Sequence, residues 1–247
     1  MNTATFRFYE ELNDFLPAGK RKIRFPVSFE NRPAIKDAIE SLGVPHTEIE
    51  VILVNQVSVD FSYRLNDNDD VAVYPVFESF DITPLLRLRT RPLRTTAFIC
   101  DVHLGRLCRM LRILGFDTLY RNDYEDNEIV SIAQQEGRIV LTRDRGILKH
   151  KAVSHGYCVR SSDWRRQARE VIRRFDLSHS LHPFSICVSC NGRVAKVSKS
   201  AVIGCLQEKT KRYYDNFSRC QACGKIFWEG SHYAKLQEFV KELADRA

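Results

Sequence analysis

Apolar positions along the chain change period several times, and each change marks an element. Thr5-Phe-Arg-Phe-Tyr9 and Lys22-Ile-Arg-Phe25 alternate with a period of two and predict strands. Ile35, Ala38, Ile39 and Leu42 then recur at helical spacing, with Pro33 near the start of the run and Gly43 just past its end. Glu50-Val-Ile-Leu-Val54 and Val71-Ala-Val-Tyr74 predict two further strands. Residues 81–95 break the pattern: Pro84 and Pro92 stand among Arg87, Arg89, Arg91 and Arg94, which predicts a basic linker. From Thr96 strands and helices alternate. Ala97-Phe-Ile-Cys100 is a short apolar strand ending at Asp101. Leu104, Leu107, Cys108, Leu111 and Leu114 cover one arc of a helix closed by Gly115, while Arg106, Arg109 and Arg112 cover the opposite arc. Asp117-Thr-Leu-Tyr120 is a strand. Asp126 opens a helix carrying Ile129, Ile132 and Ala133, with Gly137 at its end. Arg138-Ile-Val-Leu-Thr142 leads into Arg143-Asp144, and Gly156-Tyr-Cys-Val-Arg160 leads into Ser161-Ser-Asp163.

Two fold classes follow. Residues 1–80 read as two strands, one helix and two strands, the order of a β-grasp. Residues 96–180 read as an α/β unit, a mostly parallel sheet with helices on both faces. Through Val54-Asn-Gln-Val-Ser-Val-Asp60 and Asp67-Asn-Asp-Asp-Val-Ala-Val-Tyr-Pro75, the first unit resembles the ubiquitin-like, sulfur-carrier branch of the β-grasp. Such carriers end in a free Gly-Gly tail. Here the chain continues through Val76-Phe-Glu-Ser-Phe80 without glycine, so docking to a protein partner is the expected role and sulfur transfer is not.

Residues 181–247 carry the chain's strongest metal signal. Cys187-x-x-Cys190 and Cys220-x-x-Cys223, the latter followed by Gly224, are spaced to present four thiolates to one ion. This predicts a closed structural zinc site, a zinc ribbon, followed by a C-terminal helix. Four cysteines fill the site, leaving His182 and His232 outside it. The ribbon aromatics Tyr213, Tyr214, Phe217, Phe227 and Trp228 have two readings, a small core around the metal or stacking platforms for bases. The other cysteines, Cys100, Cys108, Cys158 and Cys205, read as reduced thiols of a cytoplasmic protein, for the chain opens without a signal-peptide pattern. No apolar run is long enough to span a membrane.

Charge adds a partner. Residues 1–80 carry 8 Lys and Arg against 13 Asp and Glu, a net of −5, whereas residues 81–247 carry 30 against 18, a net of +12. An acidic first domain therefore precedes a basic remainder, which points to a polyanion such as RNA. Arg106, Arg109, Arg143 and Arg145 are candidate phosphate contacts, as is the basic helix from Asp163 to Arg174.

The acids within that basic remainder are the candidate chemistry. Asp101, Asp144 and Asp163 each follow a predicted strand, the edge at which open α/β sheets bind ligands. Asp126 opens a helix, where the dipole favours a carboxylate. Read singly, Asp126 is an N-cap, Asp144 and Asp163 are turn residues, and Asp101 is the partner of an arginine. Read jointly, four carboxylates need a hard divalent counter-charge, Mg²⁺ or Mn²⁺, and such a cleft suits phosphodiester hydrolysis. Glu128, two residues beyond Asp126 and on a roughly opposite face of the helix, is the alternative to it, and Asp126 is preferred.

Asp101-Val-His-Leu-Gly-Arg-Leu-Cys-Arg-Met-Leu-Arg-Ile-Leu-Gly-Phe-Asp-Thr-Leu-Tyr120, Leu141-Thr-Arg-Asp-Arg145 and Val159-Arg-Ser-Ser-Asp163 resemble the PIN-like ribonuclease family named for the C-terminal domain of the Mut-seven exonuclease. The likeness runs on through Phe184-Ser-Ile-Cys187, Cys190-Asn-Gly192 and Cys220-Gln-Ala-Cys-Gly-Lys-Ile-Phe-Trp-Glu-Gly-Ser-His232, covering about residues 96–235. Members with a ubiquitin-like extension share the whole layout. The resemblance implies a PIN-type, three-layer parallel-sheet domain with a metal-dependent RNase site. In it Asp101, Asp126 and Asp144 match the first three acids and Asp163 the last. Cys108 and Met110 depart from the family pattern, where small and aromatic residues are usual. The alternative is a non-catalytic RNA-binding adaptor that recruits a partner through its β-grasp.

Overall fold

The computed structural model describes residues 1–75 and 96–244, so the expected linker at 81–95 lies outside the described residues. In chain order the elements are β1 (Asn2–Phe8), β2 (Phe25–Phe29), α1 (Ile35–Ser41), β3 (Val51–Val54), β4 (Val57–Val59), β5 (Asp70–Tyr74), β6 (Phe98–Cys100) and α2 (Gly105–Ile113). There follow β7 (Thr118–Leu119), α3 (Asp126–Glu136), β8 (Ile139–Thr142), α4 (Arg145–Leu148), β9 (Gly156–Cys158) and α5 (Trp164–Arg174). The last are β10 (Val194–Val197), α6 (Lys199–Val202), α7 (Glu208–Tyr213), β11 (Phe217–Cys220), β12 (Ile226–Trp228) and α8 (Ser231–Ala244). The chain divides into two compact units: the described part of Met1–Thr95 with Glu125–Cys158, and Thr96–Tyr124 with Val159–Ala247.

The first unit contains a five-stranded sheet in the order β2-β1-β5-β3-β4. Its central pair, β1 and β5, is parallel and its other pairs are antiparallel, the expected β-grasp arrangement. Alternation along β1 buries Ala4, Phe6 and Phe8, the last two in register with buried Val71 and Val73 of β5, and α1 buries Ile35, Ala38 and Ile39. The strand expected at 22–25 lies instead at Phe25–Phe29, because the backbone turns at Lys22 (φ 58°). Pro26 is tolerated there since β2 is an edge strand that needs no donor on its free side. The short β4 was not expected. Asn55 and Gln56, with φ of 49° and 70°, form a two-residue turn of the primed kind that pairs it with β3.

The same unit includes α3, β8, α4 and β9, with β8 and β9 parallel and all four β8 side chains buried. Hydrogen bonds join this segment to the β-grasp. Glu48, fully buried, accepts from the Cys158 N–H (2.5 Å). His46 lies 2.7 Å from a Glu40 carboxylate oxygen and 3.0 Å from the Val153 carbonyl. The Lys149 ammonium donates to the Glu40 carbonyl at 2.8 Å.

In the second unit β6 and β7 are parallel, and α2 buries Leu107, Cys108, Met110 and Leu111. The helix ends at Gly115 (φ 95°), where the incoming chain of the ribbon takes over its last carbonyls: His182 N–H donates to Leu114 O (3.0 Å) and Phe184 N–H to Ile113 O (2.7 Å). A Cβ on Gly115 would lie 2.2 Å from the His182 carbonyl oxygen, so only glycine fits. The ribbon is an antiparallel sheet, β10-β11-β12, over a small core of Val202, Leu206 and Phe217. The C-terminal α8 returns to α5, setting Phe239 edge-on to Trp164 (5.7 Å) and pairing Glu242 with Arg169 (2.7 Å).

Candidate metal centre and acidic positions

Two knuckles build the cysteine cluster. In the first, Cys187 N–H donates to Gly192 O (2.7 Å) and Asn191 N–H to Cys187 O (3.0 Å), with Asn191 left-handed at φ 65°. In the second, Cys220 N–H donates to Lys225 O (2.9 Å) and Gly224 N–H to Cys220 O (3.0 Å), with Gly224 left-handed at φ 73°. Each loop thus reverses through one left-handed residue directly after its second cysteine. Gly192 sits where the knuckles meet, and a Cβ there would lie 2.7 Å from Ala222 Cβ and 3.1 Å from Cys220 Sγ.

All four sulfurs lie within 4.8 Å of one another, with Cys187 to Cys223 at 3.8 Å and Cys190 to Cys220 at 3.4 Å. A tetrahedral ion with Zn–S bonds of ~2.3 Å sets S···S edges of about 3.8 Å, so the cluster fits a metal such as zinc. Among the described residues this is the one group of three or more His, Cys, Asp or Glu side chains whose ligand atoms converge. Electrostatics agree. Burial opposes ionisation of Cys220, yet the N–H groups of Cys223 and Ala222 and the neighbouring thiols bring it down to about 6. The Gly192 N–H favours the Cys190 thiolate, but desolvation and the other three sulfurs push it up to about 12. A cation at the centre would relieve this conflict, since the thiolate is the metal-binding form.

The four candidate acids stand at element junctions. Asp101 directly follows β6 and is 4% exposed. Asp126 is the first residue of α3 and is exposed. Asp144 is exposed and N-caps α4, its Oδ1 accepting from Gly146 N–H at 2.7 Å. Thr142 fixes that turn by accepting from the Asp144 N–H (2.8 Å). Asp163 is exposed and N-caps α5, accepting from Arg166 N–H at 3.0 Å. Asp126 and Asp144 belong to one compact unit, Asp101 and Asp163 to the other. Glu128 turns back to accept from the Glu125 N–H (3.0 Å), closing a capping box at the start of α3. Cys100, one residue before Asp101, is wholly buried, and that burial holds its thiol well above the ordinary range, as expected of core rather than nucleophile.

The arginines divide. Arg106, Arg109 and Arg143 are exposed, and Arg145, also exposed, lays its guanidinium 4.8 Å over the Phe15 ring. Arg112 departs from the expected solvent stripe. It is 5% exposed and bridges Thr118 O (2.9 Å) to Val188 O (3.1 Å), tying β7 to the first knuckle. Asn191 makes the same join: its side chain accepts from Thr118 N–H (2.9 Å) and donates to Asp117. Sequence reasoning missed Asn191. Its signal was the Asn-Gly dipeptide after Cys190, a common mark of left-handed turns.

The model of the Mut7-C RNAse domain matches residues 96–240, and that of the Mut7-C ubiquitin domain matches residues 1–81. The chain is 24% identical over 235 residues to the human exonuclease mut-7 homolog; the match covers 63% of this chain and 27% of that protein, so the chain spans about a quarter of its relative's length. Among solved structures, the Haloferax volcanii small archaeal modifier protein 1 covers 30% of this chain and 98% of its own at 17% identity, with a TM-score of 0.25. The SAMP1 structure from the same organism covers 32% and 100% at 16% identity, with a TM-score of 0.26. Among the described residues no helix is long and apolar enough to cross a membrane.

Proposed function

Since the chain belongs to the Mut7-C RNAse domain family, we propose that it is a metal-dependent ribonuclease in which Asp101, Asp126 and Asp144 hold Mg²⁺ or Mn²⁺ and Asp163 supports them. The observation that carries this reading is the ribonuclease match over residues 96–240, which takes in four carboxylates seated at strand ends and helix starts. The donor set is all oxygen, the preference of hard divalent cations. When bound, such an ion lowers the pKa of a coordinated water and neutralises charge on the transferring phosphate. The chain's own residues do the rest. Asp144 and Asp163 are held at helix N-termini by Gly146 and Arg166 N–H groups, which fixes their carboxylates before RNA arrives. Exposed Arg106, Arg109 and Arg143, with Arg145, hold the phosphate backbone.

The cysteine cluster binds a structural zinc in this reading, and the free thiols suit a reducing, cytoplasmic setting. The β-grasp serves as a docking domain for a protein partner, supported by its match to the family's ubiquitin domain.

The test is cleavage of single-stranded and structured RNA with Mg²⁺ or Mn²⁺, comparing wild type with Asp101→Asn and Asp144→Asn after zinc content and folding are verified. Each substitution is expected to lower the cleavage rate at least ~100-fold, the scale of removing one charge-stabilising group. Cleavage that survives both changes rejects the acidic residues as its site, and no cleavage by wild type makes the chain an RNA-binding adaptor instead.

A further inference from the structure

The connection between β1 and β2 is longer than a hairpin needs. It runs from Tyr9 to Arg24, where β-hairpin loops ordinarily take ~2–5 residues. Its first part folds into a 3₁₀ segment, Glu10–Phe15. Buried Asn13 staples that segment. Its Nδ2 donates to Phe8 O (3.0 Å) and Glu10 O (2.9 Å), and its Oδ1 accepts from Lys22 N–H (2.6 Å). Phe15 ends the stapled segment and is 6% exposed. Over its ring lies the Arg145 guanidinium, 4.8 Å from the centroid. Arg145 directly follows Asp144 and is the first residue of α4.

α4 is a single turn of four residues, too short to be stable without tertiary support. The β-grasp meets it at both ends. Phe15 takes Arg145 at the start, and the Glu40 carbonyl of α1 accepts from Lys149, the residue just past the end (2.8 Å). Further along the chain, His46 lies 3.0 Å from the Val153 carbonyl and Glu48 accepts from Cys158 N–H. The Asp144–Arg145 corner is therefore seated on the first domain. A guanidinium held by its face also keeps its use, because its N–H donors lie in its plane and point away from the ring. Arg145 is exposed, which suits that edge to a phosphate.

We propose that Phe15 is a positioning residue of the nuclease: its ring holds the Arg145 guanidinium beside Asp144, ready for an RNA phosphate. The inference rests on the ribonuclease reading and adds to it a working part for the β-grasp, which seats the corner that meets the substrate. Phe15 touches no phosphate itself and acts through Arg145.

The experiment measures equilibrium binding of labelled oligouridylate to the full chain carrying Asp101→Asn, an acid outside this corner, with zinc content verified and no Mg²⁺ or Mn²⁺ added. Phe15→Leu is expected to weaken binding about 2- to 5-fold, the ~0.5–1 kcal/mol of an exposed cation–π contact. Phe15→Tyr keeps the ring and is expected to keep the parent's affinity. In an Arg145→Ala chain, Phe15→Leu is expected to have no further effect, a result that a merely structural role would not give. Weakening that is equal with and without Arg145, or absent in both, overturns the proposal. NMR of the chain with Phe15 intact provides a check that no Phe15 variant has to fold for. The Arg145 side-chain protons, assigned by their loss in Arg145→Ala, are expected to be shifted upfield by the ring and to stay so when RNA binds. Protons at unshifted positions, or released to them by RNA, overturn the proposal as well. Cleavage by the same chains with Asp101 restored separates the two readings. A Phe15–Arg145 coupling in binding without cleavage by the wild type sinks the nuclease and keeps the positioning role. Acid-dependent cleavage without the coupling does the reverse, and a parent chain with no affinity for RNA overturns both.

Discussion

At the scale of single residues, positions that looked like chemistry and positions that looked like spacers partly exchange roles. Arg112 was legible as one of three arginines on a polar arc, yet it lies in the interior bridging two carbonyls. Periodicity reports the direction a side chain leaves its helix; it is blind to a second segment that covers that direction, and here residues 188–191 do so. Gly115 shows the converse. As the residue that closes a helix it was legible, but its close approach to His182 depends on a contact 67 positions away. Two glycines separate these effects. Gly137 is left-handed (φ 65°) with nothing within 4 Å, so Gly137→Ala carries only the backbone cost of ~1–2 kcal/mol. Gly115→Ala adds a Cβ 2.2 Å from a carbonyl and is expected to cost clearly more, beyond ~3 kcal/mol, in urea unfolding. Equal losses at the two sites would mean that the ribbon's entry strand does not need to sit on the end of α2.

Elements were legible in proportion to their length and periodicity. The α2 and α3 helices and the β8 strand fall within a residue or two of where the apolar pattern puts them, and α5 coincides with the basic helix read at 163–174. The short β4 was not, because its turn uses Asn55-Gln56 rather than a glycine pair, and the β10–β12 strands were hidden in a segment with few apolar residues. That scarcity carries a physical consequence. Phe217, Val202 and Leu206 make a core too small to hold three strands by burial alone. A metal held by the four cysteines would supply the balance, since in small zinc modules its binding is worth ~10–16 kcal/mol of folding energy. A strong chelator is therefore expected to expose residues 185–230 to protease before any other described segment, with resistance returning on adding zinc. Cleavage elsewhere first, or protection of 185–230 under chelator, would show that the thiolate cluster does not hold the ribbon. The four acids were legible as element-junction residues, since strand ends and caps leave local marks. Sharing one metal would depend on contacts between distant segments, which leave no local mark.

At the scale of the whole chain, order in sequence and order in space part company. The segment 125–158 was read as the middle of a nuclease domain, and it shares a compact unit with the β-grasp. No local pattern announces this, because the joining contacts span about a hundred positions: Glu48 to Cys158 and His46 to Val153. The join is also polar and buried, which makes it sensitive to protonation. Burial works against the Glu40 carboxylate, but the hydrogen bond and charge of His46 outweigh it and hold Glu40 below the usual glutamate range. A carboxylate depressed in the folded state contributes stability above its unfolded value, ~4.3, and loses that contribution as pH falls through the folded value. Glu40→Gln is thus expected to cost about 1.5–3 kcal/mol at pH 7, the scale of a hydrogen bond to a charged group. The two proteins should converge as the pH is lowered below about 4.3 and through the folded value. Urea unfolding of both at several pH values reads the difference directly. A gap that stays constant over that window would mean that packing, and not the Glu40–His46 pair, accounts for the loss. A gap that closes would make acid the specific means of loosening the β-grasp from α4 and β9.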